Sequence, residues 1–258
     1  MSTFFYPYVG NKRAELKYID FEIIKGLNIV NIVEPFCGSA SFSNYCFCHD
    51  IGQNYFINDT DKDLITFLKE VKRVGDYKFV EYYNENKERD QFDEIKKKSN
   101  KTMYDKFYMK RISSMCYGMY PTTRKLAKCA PREDLNAFFK KAIITNNDYK
   151  ILLKEHKTNI HSLLFLDPPY FDSSNRDYAY YGTDENNMRI DGTKMYIYIL
   201  KYLKTCKCKV ILILASNAII NYLFQDFIIC GYKKLYARTK KSTVHLIISN
   251  IKHIYDAE

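Results

Sequence analysis

The order of strand-like and helical segments predicts an α/β protein built on a doubly wound, mostly parallel sheet. Short runs rich in β-branched and aromatic residues, which are typical of buried strands, alternate with segments of helical periodicity. The first two strands run into polar loops that begin at Glu34 and at Asn58. Open α/β sheets bind their ligands at the carboxyl ends of strands, so both loops are candidate site positions.

The first strand lies between two segments of helical character. Apolar residues recur at helical spacing and predict one amphipathic helix from Asn11 to Leu27. The strand Ile29–Val33 follows, and then come a loop of small residues at Phe36–Ser41 and a helix that continues to about Cys48. This is the opening unit of a doubly wound sheet.

The rest of the sheet is predicted to flank a long insertion. A second strand at Tyr55–Ile57 leads to a helix from about Asp61 to Val71, and charged residues and Tyr then dominate until about residue 136. The later strands are expected at Leu163–Leu166, Lys209–Ala215 and Thr243–Ile248. We therefore predict a catalytic domain formed by 1–75 and 137–258, with a mostly helical module inserted at 76–136.

Composition restricts the class of protein. The 258 residues are 47% hydrophobic and 27% charged, which is typical of a globular chain. A formal net charge of +10 favours a nucleic-acid partner, although a lysine-rich proteome would give the same surplus. The eight cysteines form no C-x-x-C pair and the N-terminus lacks the apolar core of a signal peptide. We expect free thiols, no metal, no membrane span and a cytoplasmic location, in a bacterial or a virus-infected host cell.

The strongest motif is Asp167-Pro168-Pro169-Tyr170, which directly follows a predicted strand. Two prolines stiffen the exit from the sheet and present an acid and an aromatic ring at its edge. Such a motif suits chemistry on a planar amino group: Asp167 and the Pro168 carbonyl can accept its hydrogens, and the Tyr170 ring can stack on the base. The alternative is a strand that merely ends in a Pro-Pro turn.

Two further features agree with the functional interpretation. The loop Val33–Ala40 has small residues, including Gly38, that let the backbone approach a bound nucleoside. Asp59 ends the second strand about twenty residues later, where an acid accepts hydrogen bonds from ribose hydroxyls. Each feature alone is a weak signal. Their order and spacing ahead of the Asp167 motif together make the functional interpretation specific.

These residues together resemble the Dam-like DNA adenine-N6 methyltransferases of the D12 class, particularly the phage members, in the α arrangement of motifs. The resemblance covers most of the chain. It implies a Rossmann-like methyltransferase sheet, S-adenosylmethionine as the cofactor, and methyl transfer to the N6 amino group of an adenine flipped out of DNA. Asp167, Pro168, Pro169 and Tyr170 are the catalytic residues that it implies, and no metal is implied.

The resemblance also implies contacts with the cofactor. The segment from Tyr8 to Lys12 resembles the family's N-terminal cofactor segment, and Glu34–Gly38 resembles its F-x-G-x-G motif, with Ala40 where a second Gly is usual. Asn147-Asp148 resembles the acid that meets the cofactor's adenine, and Ser216-Asn217 resembles a further segment near the active site. The expected cofactor-binding residues are Tyr8, Lys12, Pro35, Phe36, Gly38, Ser39, Asp59, Asp148 and Asp167.

The inserted module departs most from the family. The stretch 107–124 lies where the family reads its target, but the usual contacts are not recognisable, so no target sequence is carried over. Candidate DNA contacts are Arg111, Tyr117, Arg124, Lys125 and Lys128, with a solvated helix face as the alternative for the basic residues. Tyr178, Tyr180 and Tyr181 either close over a flipped base or form an aromatic surface cluster.

Double-stranded DNA is the expected partner, and the sequence is compatible with a homodimer and with a restriction partner. Cytosine-N4 methylation uses similar chemistry, but the motif order and the acid at Asp167 favour adenine. Methylation of adenine in RNA stays an alternative. A catalytically inactive DNA-binding relic is the alternative of another class, and the joint presence of Asp59, Asp167 and Tyr170 argues against it.

Overall fold

The computed structural model describes residues 12–112, 120, 128–170, 192–235 and 242–254, with the backbone alone at 110–112. The strands in this part of the chain are β1 Asn31–Glu34, β2 Asn54–Asn58, β3 Ile143–Thr145, β4 Ser162–Leu166, β5 Lys209–Ala215, β6 Ile228–Leu235 and β7 Ser242–Ser249. They form one sheet in the order β3-β2-β1-β4-β5-β7-β6. The first five are parallel, and β7 pairs antiparallel with both β5 and β6.

Helices connect the parallel strands, and we number those of the described residues in chain order. They are α1 Phe21–Lys25, α2 Ser41–Cys48, α3 Lys62–Val74, α4 Tyr77–Glu85, α5 Arg89–Lys97, α6 Met103–Ile112, α7 Glu133–Lys141, α8 Tyr149–His156, α9 Gly192–Thr205 and α10 Ala218–Phe224. None of these helices is long and apolar enough to cross a membrane. The predicted α/β class is confirmed.

The strand order reverses between β1 and β4, which lie side by side at the middle of the sheet. From β1 the chain moves outward through β2 to β3, and from β4 it moves through β5 toward the opposite edge. Ligands of open α/β sheets bind outside the carboxyl ends of the strands at such a switch point. The loop after β1 and the Asp167 motif after β4 therefore meet at the place where the topology favours a site.

Alternate side chains of the central strands fill two cores, one on each face of the sheet. Leu163 and Phe165 of β4 belong to the core that also contains residues of α2 to α7, whereas Leu164 and Leu166 face α8, α9 and α10. On the first face, the Phe42 ring of α2 stacks on Phe165 with centroids 4.3 Å apart. Burial on both faces explains why β4 is a continuous apolar run.

The single helix predicted from Asn11 to Leu27 is wrong. A 3-10 helix spans Arg13–Tyr18, and α1 starts anew after a break at Ile19, which is extended. Two contacts of Asp20 account for the break: its backbone N–H donates to the Ile254 carbonyl, and its carboxylate caps α1 by accepting from the N–H groups of Glu22 and Ile23. The cap and the tertiary hydrogen bond outweigh the apolar periodicity.

Two strands were not predicted, and both are at edges of the sheet. β3 has only three residues, all at least partly exposed. In β6, Gly231 and Lys233-Lys234 interrupt the run of apolar residues, and Tyr232 is the only buried residue of this strand. Edge strands bury little apolar surface, so the alternation that reveals a strand in the sequence is weak in both.

The two predicted ends of the inserted module meet in the structure. The Asn136 side chain accepts a hydrogen bond from the Asp76 N–H (2.9 Å) and donates one to the Asp76 carboxylate (2.8 Å). The other Asp76 oxygen accepts from the Arg132 N–H at 3.0 Å. Between these ends, the described residues are helical wherever they have regular structure, up to α7. The boundary at 76–136 stays a prediction, and this closed pair of hydrogen bonds supports it.

A buried acid holds the turn between β1 and α2. Ala40, at the N-cap of α2, offers no side-chain acceptor, and Glu34 accepts from the Ser43 N–H at 2.9 Å instead. Only 3% of Glu34 is exposed, and burial raises the pKa of its carboxyl to about 7, because the hydrogen bonds from Ser43 offset only part of the lost hydration.

We expect the Glu34 carboxylate to make stability depend on pH. The folded protein binds this proton more tightly than the unfolded chain, so the free energy of unfolding should fall as pH rises from about 4.5 to about 7. Glu34→Gln keeps an acceptor for Ser43 and removes the ionisation. Urea unfolding should show the variant more stable than the wild type by on the order of 3 kcal/mol at about pH 8, with little difference near pH 5. An equal pH dependence in both proteins would contradict the assignment.

Ala40 has a left-handed backbone conformation, with φ 50° and ψ 38°. Gly38, two residues earlier, also has a positive φ of 45°. The turn therefore needs at position 40 the conformation that glycine adopts freely and that costs other L-residues about 1–2 kcal/mol. In the family that the sequence resembles, this position is usually a second glycine. Here it is alanine, and its backbone adopts the left-handed conformation that is typical of glycine.

We expect Ala40→Gly to be at least as stable as the wild type, because the relieved strain offsets the lost contacts of one buried methyl group, worth about 0.8 kcal/mol. The matched control is Ala14→Gly in the 3-10 helix, where φ is not positive and glycine should cost about 0.5–1 kcal/mol. Urea unfolding of both variants compares them. A loss at Ala40 as large as that at Ala14 would show that the turn is not strained.

Candidate active site

The Asp167-Pro168-Pro169-Tyr170 motif leaves the sheet directly after β4. Its backbone is fixed from the side, since the Tyr196 hydroxyl of α9 donates a hydrogen bond of 2.7 Å to the Pro169 carbonyl. Pro168 is buried, whereas the other three residues of the motif are partly exposed. The motif is therefore anchored at the Pro169 carbonyl, and three of its four residues are partly accessible.

Both oxygens of Asp167 have a partner within the protein. The Lys12 ammonium lies 2.6 Å from Oδ2, and the Tyr170 hydroxyl donates to Oδ1 at 3.2 Å. The Lys12 Nζ also lies 5.2 Å from the centroid of the Tyr170 ring. Burial raises the pKa of Asp167, and the Lys12 charge opposes this effect. With 22% of its side chain accessible, Asp167 can still accept a further hydrogen bond from a ligand.

The predicted ribose-binding acid connects the ends of β1 and β2. Asp59 follows β2, and its oxygens accept from the N–H groups of Gly38 (3.0 Å) and Asp61 (3.1 Å). Nearby, the Asn58 carbonyl accepts from the Cys37 N–H at 2.8 Å. Burial raises the pKa of Asp59 to about 6, although the two N–H donors lower it. The small-residue loop and the acid thus form one unit.

The next strand end adds Asp148 to the same edge. The Asn58 side chain bonds both the carbonyl (2.9 Å) and the N–H (2.8 Å) of Asn147, which joins the end of β2 to the loop after β3. Asp148 is exposed and caps α8, where its carboxylate accepts from the Lys150 N–H. The structure therefore brings the loop after β1, Asp59, Asp148 and the Asp167 motif to the carboxyl edge of adjacent strands.

The remaining predicted cofactor residues of the described chain lie in the loop after β1. Pro35 is buried, and its carbonyl accepts from the Asn58 amide at 3.1 Å. The half-buried ring of Phe36 packs on Tyr149, with centroids 4.9 Å apart. Ser39 is buried and shares a hydrogen bond of 2.8 Å with the Ser41 hydroxyl. Pro35 and Ser39 thus support the loop, whereas Phe36 presents part of its ring.

The segment Ser216-Asn217 also begins at the carboxyl edge, after β5. The Asn217 carbonyl oxygen Oδ1 caps α10 by accepting from the Ile220 N–H at 2.9 Å, and the Ser216 N–H donates to the Val244 carbonyl at 2.8 Å. His161 lies instead at the start of β4, one strand length from Asp167, with its Nδ1 3.1 Å from the Asn28 carbonyl. His161 therefore lies at the end of β4 opposite the candidate site.

Most predicted DNA contacts fall outside the described residues. Tyr117, Arg124 and Lys125 are not among the described residues. The same holds for Tyr8, which is predicted to bind the cofactor, and for Tyr178, Tyr180 and Tyr181. Arg111 belongs to α6, where the backbone alone is described. Lys128 is exposed in the segment that precedes α7. The DNA-contact assignments stay predictions.

Sequence reasoning missed a buried polar cluster next to the Asp167 motif. Glu15 of the 3-10 helix accepts hydrogen bonds from the Tyr232 hydroxyl and the Lys234 ammonium of β6, and lies 3.2 Å from Nδ1 of His245 in β7. The His245 ring in turn meets the Tyr170 ring edge to face, with centroids 5.3 Å apart. Glu15 is more than 200 positions from Tyr232, Lys234 and His245 in the chain, so no local pattern could associate them.

The described residues contain no group of three or more His, Cys, Asp or Glu side chains that could hold a metal ion. Seven cysteines fall in this part of the chain and all are free thiols: Cys37, Cys46, Cys48, Cys129, Cys206, Cys208 and Cys230. The groups that the structure offers a ligand at the carboxyl edge are therefore carboxylates, backbone groups and aromatic rings.

A sheet of this order, with an acid or a small-residue loop after β1, β2, β3 and β4, defines the Rossmann-like methyltransferase class of fold. Within that class, the model of the D12 class N6 adenine-specific DNA methyltransferase family matches residues 8–120 and 107–238. The chain belongs to this family and is an adenine-specific DNA methyltransferase. A search of curated proteins finds no match. The resemblance inferred from the motifs is confirmed.

Proposed function

We propose that this enzyme transfers a methyl group from S-adenosylmethionine to N6 of an adenine that has been flipped out of a DNA duplex. The observation that carries the proposal is the geometry of Asp167. It lies at the switch point of the sheet, its carboxylate is partly accessible, and Lys12 and Tyr170 fix its orientation. A fixed acceptor beside an aromatic ring suits the amino edge and the face of a purine.

The described residues fit S-adenosylmethionine as the methyl donor. The carboxyl edge is acidic, and burial raises the pKa of Glu34 to about 7 and that of Asp59 to about 6. A raised pKa means that ionising these carboxyls is costly, and a nearby positive charge reduces that cost. The sulfonium of S-adenosylmethionine is positively charged. Asp59 would hold the ribose hydroxyls, and Asp148 with the Phe36 ring would hold the adenine.

Asp167 and Pro168 would polarise the target amino group. The N6 lone pair of adenine is delocalised into the ring, so the nitrogen attacks poorly unless acceptors withdraw its hydrogens. The Asp167 carboxylate would accept one N6 hydrogen and the Pro168 carbonyl the other, while Tyr170 stacks on the base. When bound, S-adenosylmethionine supplies an electrophilic methyl group whose bonding electrons leave with the sulfur. Asp167 would receive the proton that N6 loses.

Access to the target requires extrusion, because a stacked and paired adenine presents neither its N6 lone pair nor its face to these residues. Flipping a base costs a few kcal/mol, which stacking on Tyr170 and hydrogen bonds to Asp167 and Pro168 would offset. The +10 net charge would favour docking on phosphates, with Lys128 and the basic residues of the inserted module as the contacts.

We expect Asp167→Asn to lower the single-turnover rate of methyl transfer by about 10²–10³-fold, because the amide is a weaker acceptor and cannot take the proton. The affinity for S-adenosylmethionine, measured by calorimetry, should change little. Asp226→Asn is the matched control, since Asp226 is exposed. A variant that retains the wild-type rate would remove Asp167 from the mechanism.

We expect Asp59→Asn to weaken S-adenosylmethionine binding by about 10–100-fold, the worth of a hydrogen bond to a charged acceptor. Because the pKa of Asp59 is about 6, the wild-type affinity should also decline as pH falls through this value, and the variant should lose this dependence. Calorimetry at several pH values tests both expectations, with the exposed Asp63→Asn as control. An unchanged affinity would place the ribose elsewhere.

A further inference from the structure

Glu15 ties the N-terminal segment to the two antiparallel strands beside the active site. It lies three residues after Lys12, and only 4% of its side chain is exposed. Tyr232 and Lys234 of β6 both donate to its carboxylate, and Nδ1 of His245 lies 3.2 Å from it. One carboxylate therefore connects three elements that are far apart in the sequence.

Two contacts link this cluster to the Asp167-Pro168-Pro169-Tyr170 motif. Lys12, on the same short segment as Glu15, forms the 2.6 Å ion pair with Asp167. The fully buried His245 presents its ring at 87° to the Tyr170 ring. A shift of Glu15 would thus move both the cation on Asp167 and the ring packed against Tyr170.

The charges of the cluster form two balanced pairs, Lys12 with Asp167 and Lys234 with Glu15. Burial by itself would raise the pKa of Glu15, but His245 and the two lysines outweigh burial and hold the pKa at about 2. Glu15 is therefore an anion throughout the working range of pH. Without that charge, Glu15 would no longer oppose the effect of the two lysines on Asp167.

We propose that Glu15 is a positioning residue of the methyltransferase: through Lys12 and His245 it sets the charge state of Asp167 and the orientation of Tyr170. The inference rests on the proposed function, because it assigns Glu15 to the reaction that Asp167 and Tyr170 perform. Stability alone is a weak reason for this arrangement, since buried ion pairs stabilise folds little compared with apolar residues of the same volume.

The test compares Glu15→Gln with Glu22→Gln, which changes an exposed carboxylate of α1 that pairs with Lys25 at the surface. The glutamine keeps the size of Glu15 and an acceptor oxygen but loses its charge. We expect the single-turnover rate of Glu15→Gln to fall about tenfold, because Lys12 is less well positioned on Asp167. This corresponds to an increase of about 1.4 kcal/mol in the activation free energy. The KM for S-adenosylmethionine should stay within about twofold, and the Glu22 control should match the wild type.

The pH profile separates positioning from a structural role. Among the described residues, the charged and titratable groups around Asp167 and Tyr170 are Lys12, Glu15, Lys234, Glu34, Tyr232 and His245. Removing the negative charge of Glu15 should lower the pKa of Asp167, so the acid limb of the rate profile should move to lower pH. A lower melting temperature together with an unchanged rate and acid limb would overturn the proposal.

A double-mutant cycle with Lys12→Met shows whether Glu15 acts through Lys12. The two variants together should lose less single-turnover rate than the sum of their separate losses, because part of the Glu15 effect passes through Lys12 and the rest through His245. Fully additive losses would contradict the proposal. The same cycle in urea unfolding should show about tenfold non-additivity in the unfolding constant. If the wild type methylated no DNA, the proposed function would fail. Additive effects of the two substitutions on unfolding would, separately, refute the coupling of Glu15 to the site.

Discussion

The ion pair between Lys12 and Asp167 is the interaction on which the site depends. It places a negative charge at the switch point of a parallel sheet, where burial would otherwise favour the protonated acid. The pair also joins the segment before α1 to the end of β4, elements that the sheet itself does not connect. Because breaking a buried pair leaves an uncompensated charge, the position of Lys12 and the ionisation of Asp167 are tied together.

A second set of constraints shapes the side of the site that we propose binds the cofactor. Glu34 caps α2 from the end of β1, Asp59 binds the backbone of the loop between them, and Ala40 adopts a left-handed conformation in the same turn. One buried acid, one partly buried acid and a strained residue around the same turn are costly for the free protein. Such costs are typical of sites that a ligand completes, since a bound cation would favour the ionised carboxyls.

Much of this arrangement could be predicted from the sequence, because the relevant signals are local. The Asp167 motif, the loop after β1 and Asp59 each follow a strand directly, and the ends of parallel strands meet at one edge. The break at Ile19 could not be predicted, since it depends on a hydrogen bond from Asp20 to Ile254 at the far end of the chain. The Glu15 cluster was missed for the same reason, and β3 because three partly exposed residues carry no periodic signal.

The identity of the methylated nucleoside tests the central claim most directly. Purified protein would be incubated with tritiated S-adenosylmethionine and, in separate reactions, with unmethylated, AT-rich genomic DNA or with RNA. The nucleic acid would then be digested and its nucleosides separated. Our account predicts that the label appears in N6-methyladenine. Label in N4-methylcytosine, label accepted only by RNA, or no transfer by a protein that still binds DNA would contradict it.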